Sequence, residues 1–167
     1  MIRFIDFGNI FKLEGVSNYA HGCNCAGAMG KGIALQFKSK FPKMYDAYKT
    51  LCKQNDFNLG DVFAYDYEDG VVFNLGTQKT WRTKADYKAI EKSLNNMLGL
   101  CVRKKIYHVA LPRIGAGLGG ANWNKVKLII QKVASSFEDV NIYVVENYKD
   151  VYLTQEKIKT MIKKPQL

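Results

Sequence analysis

Apolar residues fall along the chain in short blocks whose period changes repeatedly between that of a strand and that of a helix. Ile2-Arg3-Phe4-Ile5 predicts a strand ending at Gly8-Asn9, and Tyr19 to Cys25 predicts a second, both running straight into loops. Beyond the glycine-rich stretch Gly27 to Gly32, the spacing of Ile33, Ala34, Phe37 and Phe41 is helical. Pro42 suits the first turn of a further helix with Met44, Tyr45, Tyr48 and Leu51 on one side. Asp61 to Tyr67 and Val71 to Leu75 are aromatic and β-branched, and Glu68-Asp69-Gly70 between them predicts a hairpin. A polar, basic loop follows from Gly76 to Lys84. Thr83 with Asp86 three residues later resembles a capping signal for a helix carrying Tyr87, Ile90, Leu94, Met97, Leu98 and Cys101. Ile106 to Leu111 reads as a buried strand, Pro112 to Gly120 as a second glycine-rich loop, and Asn122 as the cap of a helix with Val126, Ile129, Ile130 and Val133. Asn141 to Glu146 is the last clear strand.

Strands alternating with helices, plus one hairpin, predict an α/β layered domain with helices on both faces of a mixed sheet. No internal repeat, low-complexity tract or linker interrupts the 167 residues, and a single domain over 1–167 is expected. Its tail, 150–167, predicts a basic helix from Thr154 with Ile158, Met161 and Ile162 on one face and Lys157, Lys159, Lys163 and Lys164 on a solvated one. In such folds ligands sit beyond the carboxyl ends of the strands, where both glycine loops fall.

Composition narrows the partner. The chain is 47% hydrophobic and 13% aromatic, enough for a core, and carries a net charge of +10. An anionic ligand is therefore expected, with nucleotides, nucleic acid and acidic surfaces all in play. No apolar stretch approaches the roughly 20 residues that span a bilayer, and the opening Met-Ile-Arg-Phe-Ile-Asp lacks a secretory apolar segment. Cys23, Cys25, Cys52 and Cys101 have neither zinc-knuckle nor disulfide-scaffold spacing, so reduced thiols in a cytoplasmic monomer without metal or cofactor are expected.

The first loop, His21 to Ala34, opens directly into a helix, and its glycines permit close backbone approach to a ligand. Amides at the helix start would cradle an anion, although the spacing matches neither a Walker loop nor a dinucleotide fingerprint. The other reading is tight strand-to-helix packing alone. Pro112-Arg113-Ile114-Gly115-Ala116-Gly117-Leu118-Gly119-Gly120 repeats the arrangement, so two loops facing one crevice could hold both phosphates of a diphosphate. Arg113 could bind phosphate or pair structurally. Neither loop carries the paired carboxylates normally used at a sugar anomeric carbon.

The run Asn24-Cys25-Ala26-Gly27-Ala28-Met29-Gly30-Lys31-Gly32-Ile33-Ala34, with Phe37 and Phe41-Pro42, resembles the first ligand loop of macro domains. Pro112 to Gly120 with Asn122-Trp123 resembles the second. The likeness extends from Gly8 to about Val145 and is nearest to the branch holding the terminal ADP-ribose protein glycohydrolase and the antitoxins that remove ADP-ribose from DNA. It implies a three-layer α/β/α sandwich and an ADP-ribose site. Carried over by position, it implies Asn9 and Ile10 at adenine, Asn24 near the distal ribose, and Gly27, Ala28, Met29, Gly30 and Gly32 around that ribose and a phosphate. Thr77 adjoins them, Ile114, Gly115, Ala116, Gly117, Leu118 and Gly119 match the pyrophosphate loop, and Tyr148 would stack on adenine or be a surface aromatic.

The hydrolases of this branch place a lysine after the threonine of the loop that follows the central strand, whereas here the position is Gln78, with Lys79 next. A glutamine amide is no nucleophile, and neighbours on an extended segment point to opposite sides. Lys79, His21 and Asn24 are then the catalytic candidates, with His21 otherwise a buried histidine bonded to the backbone. Lys31, Lys84 and the thiols are further groups in reach, while Trp81 and Arg82 either hold the group attached to ADP-ribose or pack the loop. The resemblance thus implies hydrolysis of an ADP-ribose conjugate (ADP-ribosyl-DNA, ADP-ribosyl-protein or ADP-ribose 1″-phosphate) or a non-catalytic ADP-ribose reader, while the +10 charge leaves a nucleic-acid binder using the basic surface as a third reading.

Overall fold

The computed structural model describes residues 1–162. Six strands form one sheet: β1 (Ile2–Gly8), β2 (Tyr19–Asn24), β3 (Val62–Tyr67), β4 (Gly70–Gln78), β5 (His108–Leu111) and β6 (Asn141–Tyr148). Their order is β1-β6-β5-β2-β4-β3, parallel throughout except for the antiparallel β3–β4 hairpin. The helices are α1 (Gly32–Lys40), α2 (Pro42–Lys53), α3 (Tyr87–Lys104), α4 (Trp123–Ala134) and α5 (Gln155–Met161), with a single 3₁₀ turn at Ile10–Lys12.

Alternation along the strands supplies two cores, one on each face of the sheet. On one face Ile90, Leu94 and Met97 of α3 and Val126, Ile130 and Val133 of α4 pack on Phe73, Leu75, Leu111 and Val144. On the other, Phe37 of α1, Met44 and Tyr48 of α2 and Ile158 of α5 pack on Ile5, Tyr19, Val72, Tyr143 and Val145. The result is the expected three-layer α/β/α sandwich around a mixed sheet. No helix among the described residues is long and apolar enough to cross a membrane.

Several boundaries differ from the sequence expectation, each because pairing or capping is decided by distant residues. β4 continues to Gln78, where a loop from Gly76 was expected, because it is paired on both sides: Gly76 N–H donates to Asp61 O at 2.8 Å, and Asn24 of β2 lies in register with Gln78. Asp86, not Thr83, caps α3, its carboxylate accepting from Ala89 N–H at 2.9 Å. Thr83 instead closes the preceding turn by accepting from Thr80 N–H at 3.0 Å. β6 runs on to Tyr148, placing that ring within the strand. The tail is extended before Thr154, where Leu153 bridges to Leu13, and Thr154 caps α5 by accepting from Lys157 N–H at 3.1 Å. Lys163 and Lys164 lie outside the described residues.

Candidate functional site

Five parallel strands end at the same edge, so the segments leaving β1, β2, β4, β5 and β6 surround one cleft of about 1160 Å³. Its first wall is the loop from Asn24 to α1. The Asn24 side chain organises that loop: Oδ1 accepts from Ala26 N–H at 3.0 Å and Ala28 N–H at 3.2 Å, and Nδ2 donates to Ala28 O at 2.8 Å. The Tyr48 hydroxyl, buried below, lies 2.6 Å from Asn24 O and 3.0 Å from its Oδ1. Met29 is only 2% exposed and pins the middle of the loop into the core. α1 then begins without a side-chain cap, so its first-turn amides are presented to the cleft, the arrangement that receives anions.

The second wall is the loop 112–122. Ile114, 2% exposed, anchors it, and Gly115 at φ +71° turns it back so that Gly115 O accepts from Ala121 N–H at 2.9 Å. Gly119 O accepts from Ala85 N–H at 2.9 Å, tying the loop to the start of α3. Asn122 caps α4 as expected, accepting from Lys125 N–H at 3.3 Å.

Of the residues proposed for ligand binding, Ile10, Asn24, Ala28, Met29, Gly30, Gly32, Thr77, Ile114, Gly115, Gly117, Leu118, Gly119 and Tyr148 line this cleft. Gly27 and Ala116 belong to its loops without facing it. Asn9 is not brought to it either. It is 6% exposed and spent as a cap, Oδ1 accepting from Phe11 N–H at 3.0 Å and Nδ2 donating to Asp150 at 3.2 Å. Arg113, Lys31 and the exposed Trp81 do line the cleft, with the Arg82 guanidinium 4.5 Å from the Trp81 ring centre.

The catalytic candidates separate. Gln78 lines the cleft and its amide donates to Thr83 O, while Lys79, in the bend just past the end of β4, is exposed and does not line it. Lys79 is therefore not placed to act on a ligand in this cleft. Asn24 does line it, but its amide oxygen and one amide N–H hold the loop, so it positions the site with a single N–H to spare. His21 is fully buried, stacked 3.8 Å from the Phe37 ring, with Nε2 2.6 Å from Asn74 Oδ1. Asn74 Nδ2 donates to Phe63 O at 3.1 Å, which turns Oδ1 to His21 and makes Nε2 the donor. The ring is thus a neutral core histidine removed from the cleft, as its strand position allowed. The thiols are poor nucleophiles: burial pushes Cys23 well up and Cys25 up to about 11.

Burial also lowers the His21 pKa from 6.5 to about 4, against a smaller opposing effect of its bond to Asn74. Between those values the unfolded chain binds a proton that the folded chain excludes. The stability is complete above pH 6.5 and is lost as pH falls toward 4, by an amount on the order of 3 kcal/mol. Urea unfolding at pH 7 and pH 4.5 measures this, and the fall should be smaller in His21→Gln, which does not titrate.

Sequence reasoning missed Gly8, Gln36, Val145 and Glu146 as lining residues, and placed Gly22, Cys23, Ile33 and Ala34 in the first loop without singling them out. Gly8 at the end of β1 lacked a loop motif, but the location of Val145 and Glu146 at the carboxyl end of a parallel strand was itself a signal. At Gly22 a Cβ would lie 2.8 Å from Thr77 Oγ1 and 3.5 Å from Gly115 N, so only glycine lets β2, β4 and the second loop meet there.

Comparison with known proteins places this geometry. The family model for the macro domain matches residues 20–130. A DNA ADP-ribosyl glycohydrolase of Thermus aquaticus is 35% identical over 150 residues, covering 87% of this chain but 41% of that protein, so the chain spans well under half of that relative. The solved macrodomain of Thermus aquaticus DarG superposes with a TM-score of 0.79 at 35% identity, covering 87% of this chain and 98% of that one. A 17.5 kDa protein of Enterobacteria phage T4 is 35% identical over 154 residues, 84% of this chain and 94% of its own length. The chain belongs to the macro domain family.

Proposed function

We propose that the cleft binds ADP-ribose and that the protein hydrolyses an ADP-ribose conjugate. The observation that carries the reading is the pairing of two glycine loops across one cleft, the first ending in an uncapped helix start. A diphosphate between them meets backbone amides and the cationic side chains of Lys31 and Arg113. The names of relatives, DNA ADP-ribosyl glycohydrolases, an ADP-ribose glycohydrolase of Homo sapiens and an ADP-ribose 1″-phosphate phosphatase, support conjugates of DNA, protein or phosphate.

With Lys79 exposed outside the cleft and Gln78 lining it, the chemistry does not run through Lys79. Electrostatic stabilisation by loop amides, with a loop-held water as nucleophile, is the route this geometry supports. The second reading is a reader that binds ADP-ribose without turnover, and Gln78 in the aligned lysine position favours it. We place the protein in the reducing cytoplasm as a monomer, a setting that suits its four free thiols.

The test is calorimetric titration with ADP-ribose followed by incubation with ADP-ribosylated DNA, ADP-ribosylated protein and ADP-ribose 1″-phosphate. Binding with release from one conjugate is expected, and Lys79→Ala should keep release within about twofold because the side chain lies outside the cleft. Release abolished in Lys79→Ala would restore the lysine route, binding without release would make the protein a reader, and no binding would overturn the ADP-ribose reading.

A further inference from the structure

The turn that follows β4, residues 79–84, holds side chains that neither the core nor the two glycine loops account for. Trp81 is 60% exposed and lines the cleft along with Gln78, yet it packs into neither hydrophobic core, so it does not fasten the turn to the fold. A single exposed aromatic on a surface needs no explanation by itself. This one is held in place. Thr80 N–H donates to Thr83 Oγ1 at 3.0 Å, Arg82 N–H donates to Thr80 Oγ1 at 3.2 Å, Thr83 N–H donates to Thr80 O at 3.3 Å, and the Gln78 amide donates to Thr83 O. The turn is thereby closed on itself and tied to the end of β4, with the indole within it.

Charge makes the turn more specific. The Arg82 guanidinium lies 4.5 Å from the Trp81 ring centre, and no other ring or cation packs on the indole among the described residues. Lys84 runs beside the second glycine loop, its Cγ 3.8 Å from the position a Cβ at Gly120 would take. Neither Arg82 nor Lys84 enters an ion pair among the described residues. Segments 15–45, 70–85 and 92–137, which supply this turn and both glycine loops, contain no Asp or Glu. The next carboxylate along the chain, Asp86, is committed to the cap of α3. An exposed ring bordered by unpaired cations matches the two repeating groups of a nucleic-acid strand, a base face and a phosphate. An acidic polypeptide offers the charge without the rings, and a duplex keeps its base faces inside the stack.

We propose that Trp81, Arg82 and Lys84 form a docking ledge for single-stranded nucleic acid at the mouth of the cleft. One base stacks on the indole, and Arg82 and Lys84 meet phosphates of the same strand. Because the Trp81 ring lines the cleft, a base held on it stands next to whatever the cleft contains. Docking does not depend on the ADP-ribose reading. Where that reading holds, the ledge favours a conjugate carried by a strand over one carried by protein or phosphate.

The experiment is titration of the whole protein with an oligothymidylate of about 12 nucleotides, followed by tryptophan fluorescence at about 50 and about 200 mM salt. The chain has two tryptophans, Trp81 and Trp123, and Trp81 alone of the pair lines the cleft. Binding with quenched emission is expected, and two phosphate contacts at roughly 0.7 each in the salt slope weaken it about sevenfold between those concentrations. Trp81→Ala should weaken binding about 10- to 100-fold. Trp81→Phe keeps a ring, so it should stay within about fivefold of wild type, while its emission, now from Trp123, is no longer quenched. Lys84→Ala should make the salt dependence shallower by one contact. Absence of binding, equal binding by Trp81→Ala, or quenching that persists in Trp81→Phe overturns the ledge. Equal affinity for polyglutamate overturns it too, by reducing the patch to charge, as does equal affinity for the same strand paired with oligoadenylate, by removing the need for an open base. Oligonucleotide binding without ADP-ribose binding would keep the ledge and remove the ADP-ribose reading, and the reverse would remove the ledge alone.

Discussion

Gly115→Val is expected to abolish ADP-ribose binding and to lower the unfolding free energy by about 4 kcal/mol. Gly115 has φ +71°, a left-handed conformation in which a β-branched residue is strained. Space compounds the strain. A Cβ at this position would lie 2.7 Å from Ile90 Cδ1 and 3.3 Å from Ala85 Cβ, both part of the core beneath α3. Relief requires the loop to lift, and lifting it breaks the Ala121 N–H to Gly115 O bond of 2.9 Å. The second wall of the cleft then loses its shape. Urea denaturation and calorimetric titration with ADP-ribose check both effects. Gly99→Ala in the interior of α3, where the nearest contact is Arg103 at 3.4 Å, should instead stabilise by about 0.5 to 1 kcal/mol with binding unchanged.

Asn24→Ala should cost about 3 kcal/mol and weaken ADP-ribose binding at least about 100-fold. The substitution removes three bonds to the first loop, leaving the amides of Ala26 and Ala28 and the carbonyl of Ala28 without their partner. The Tyr48 hydroxyl keeps the Asn24 carbonyl at 2.6 Å, so the strand end stays in place while the loop beyond it is released. Asn24→Asp separates the two halves of this network. It retains an acceptor for the Ala26 and Ala28 amides but faces Ala28 O with a carboxylate oxygen, so an intermediate loss is expected. Thermal unfolding with and without ADP-ribose reads the two contributions, since a loop-confined defect reduces the ligand-induced shift more than the unliganded midpoint.

Both variants strike glycine-loop residues that were visible in the sequence, and this reflects where local signals are strong. A glycine-rich stretch between a strand and a helix announces close backbone approach without knowledge of the rest of the molecule. Capping is local in the same way at Asn122, which caps α4 as its sequence context implied. At the start of α3 two side chains compete three residues apart, and the choice of Asp86 over Thr83 depends on the turn that Thr83 closes with Thr80. That turn exists because Gln78 and the end of β4 are held against β2.

The chemistry-bearing side chains were less legible than the loops. His21, Lys79 and Asn9 each have a residue type suited to a site, yet the fold buries the first against Phe37, turns the second to solvent and uses the third as a cap. Glu146 has no motif around it and entered the cleft only because β6 sits between β1 and β5 in the sheet.

By itself the sequence determined the layered α/β class, the position of nearly every strand and helix, the two backbone loops and the family they belong to. The class, elements and loops follow from periodicity, glycine and capping, which act over a few residues, and the family from the resemblance of the two loop motifs. Only the tertiary structure decided that Gln78 faces the cleft in place of Lys79, that Asn24 holds the loop, and that a carboxylate stands at the far end. The direction of a side chain at a strand end is set by register with neighbouring strands, and its partners come from segments far away in the chain, so neither is written in the local pattern.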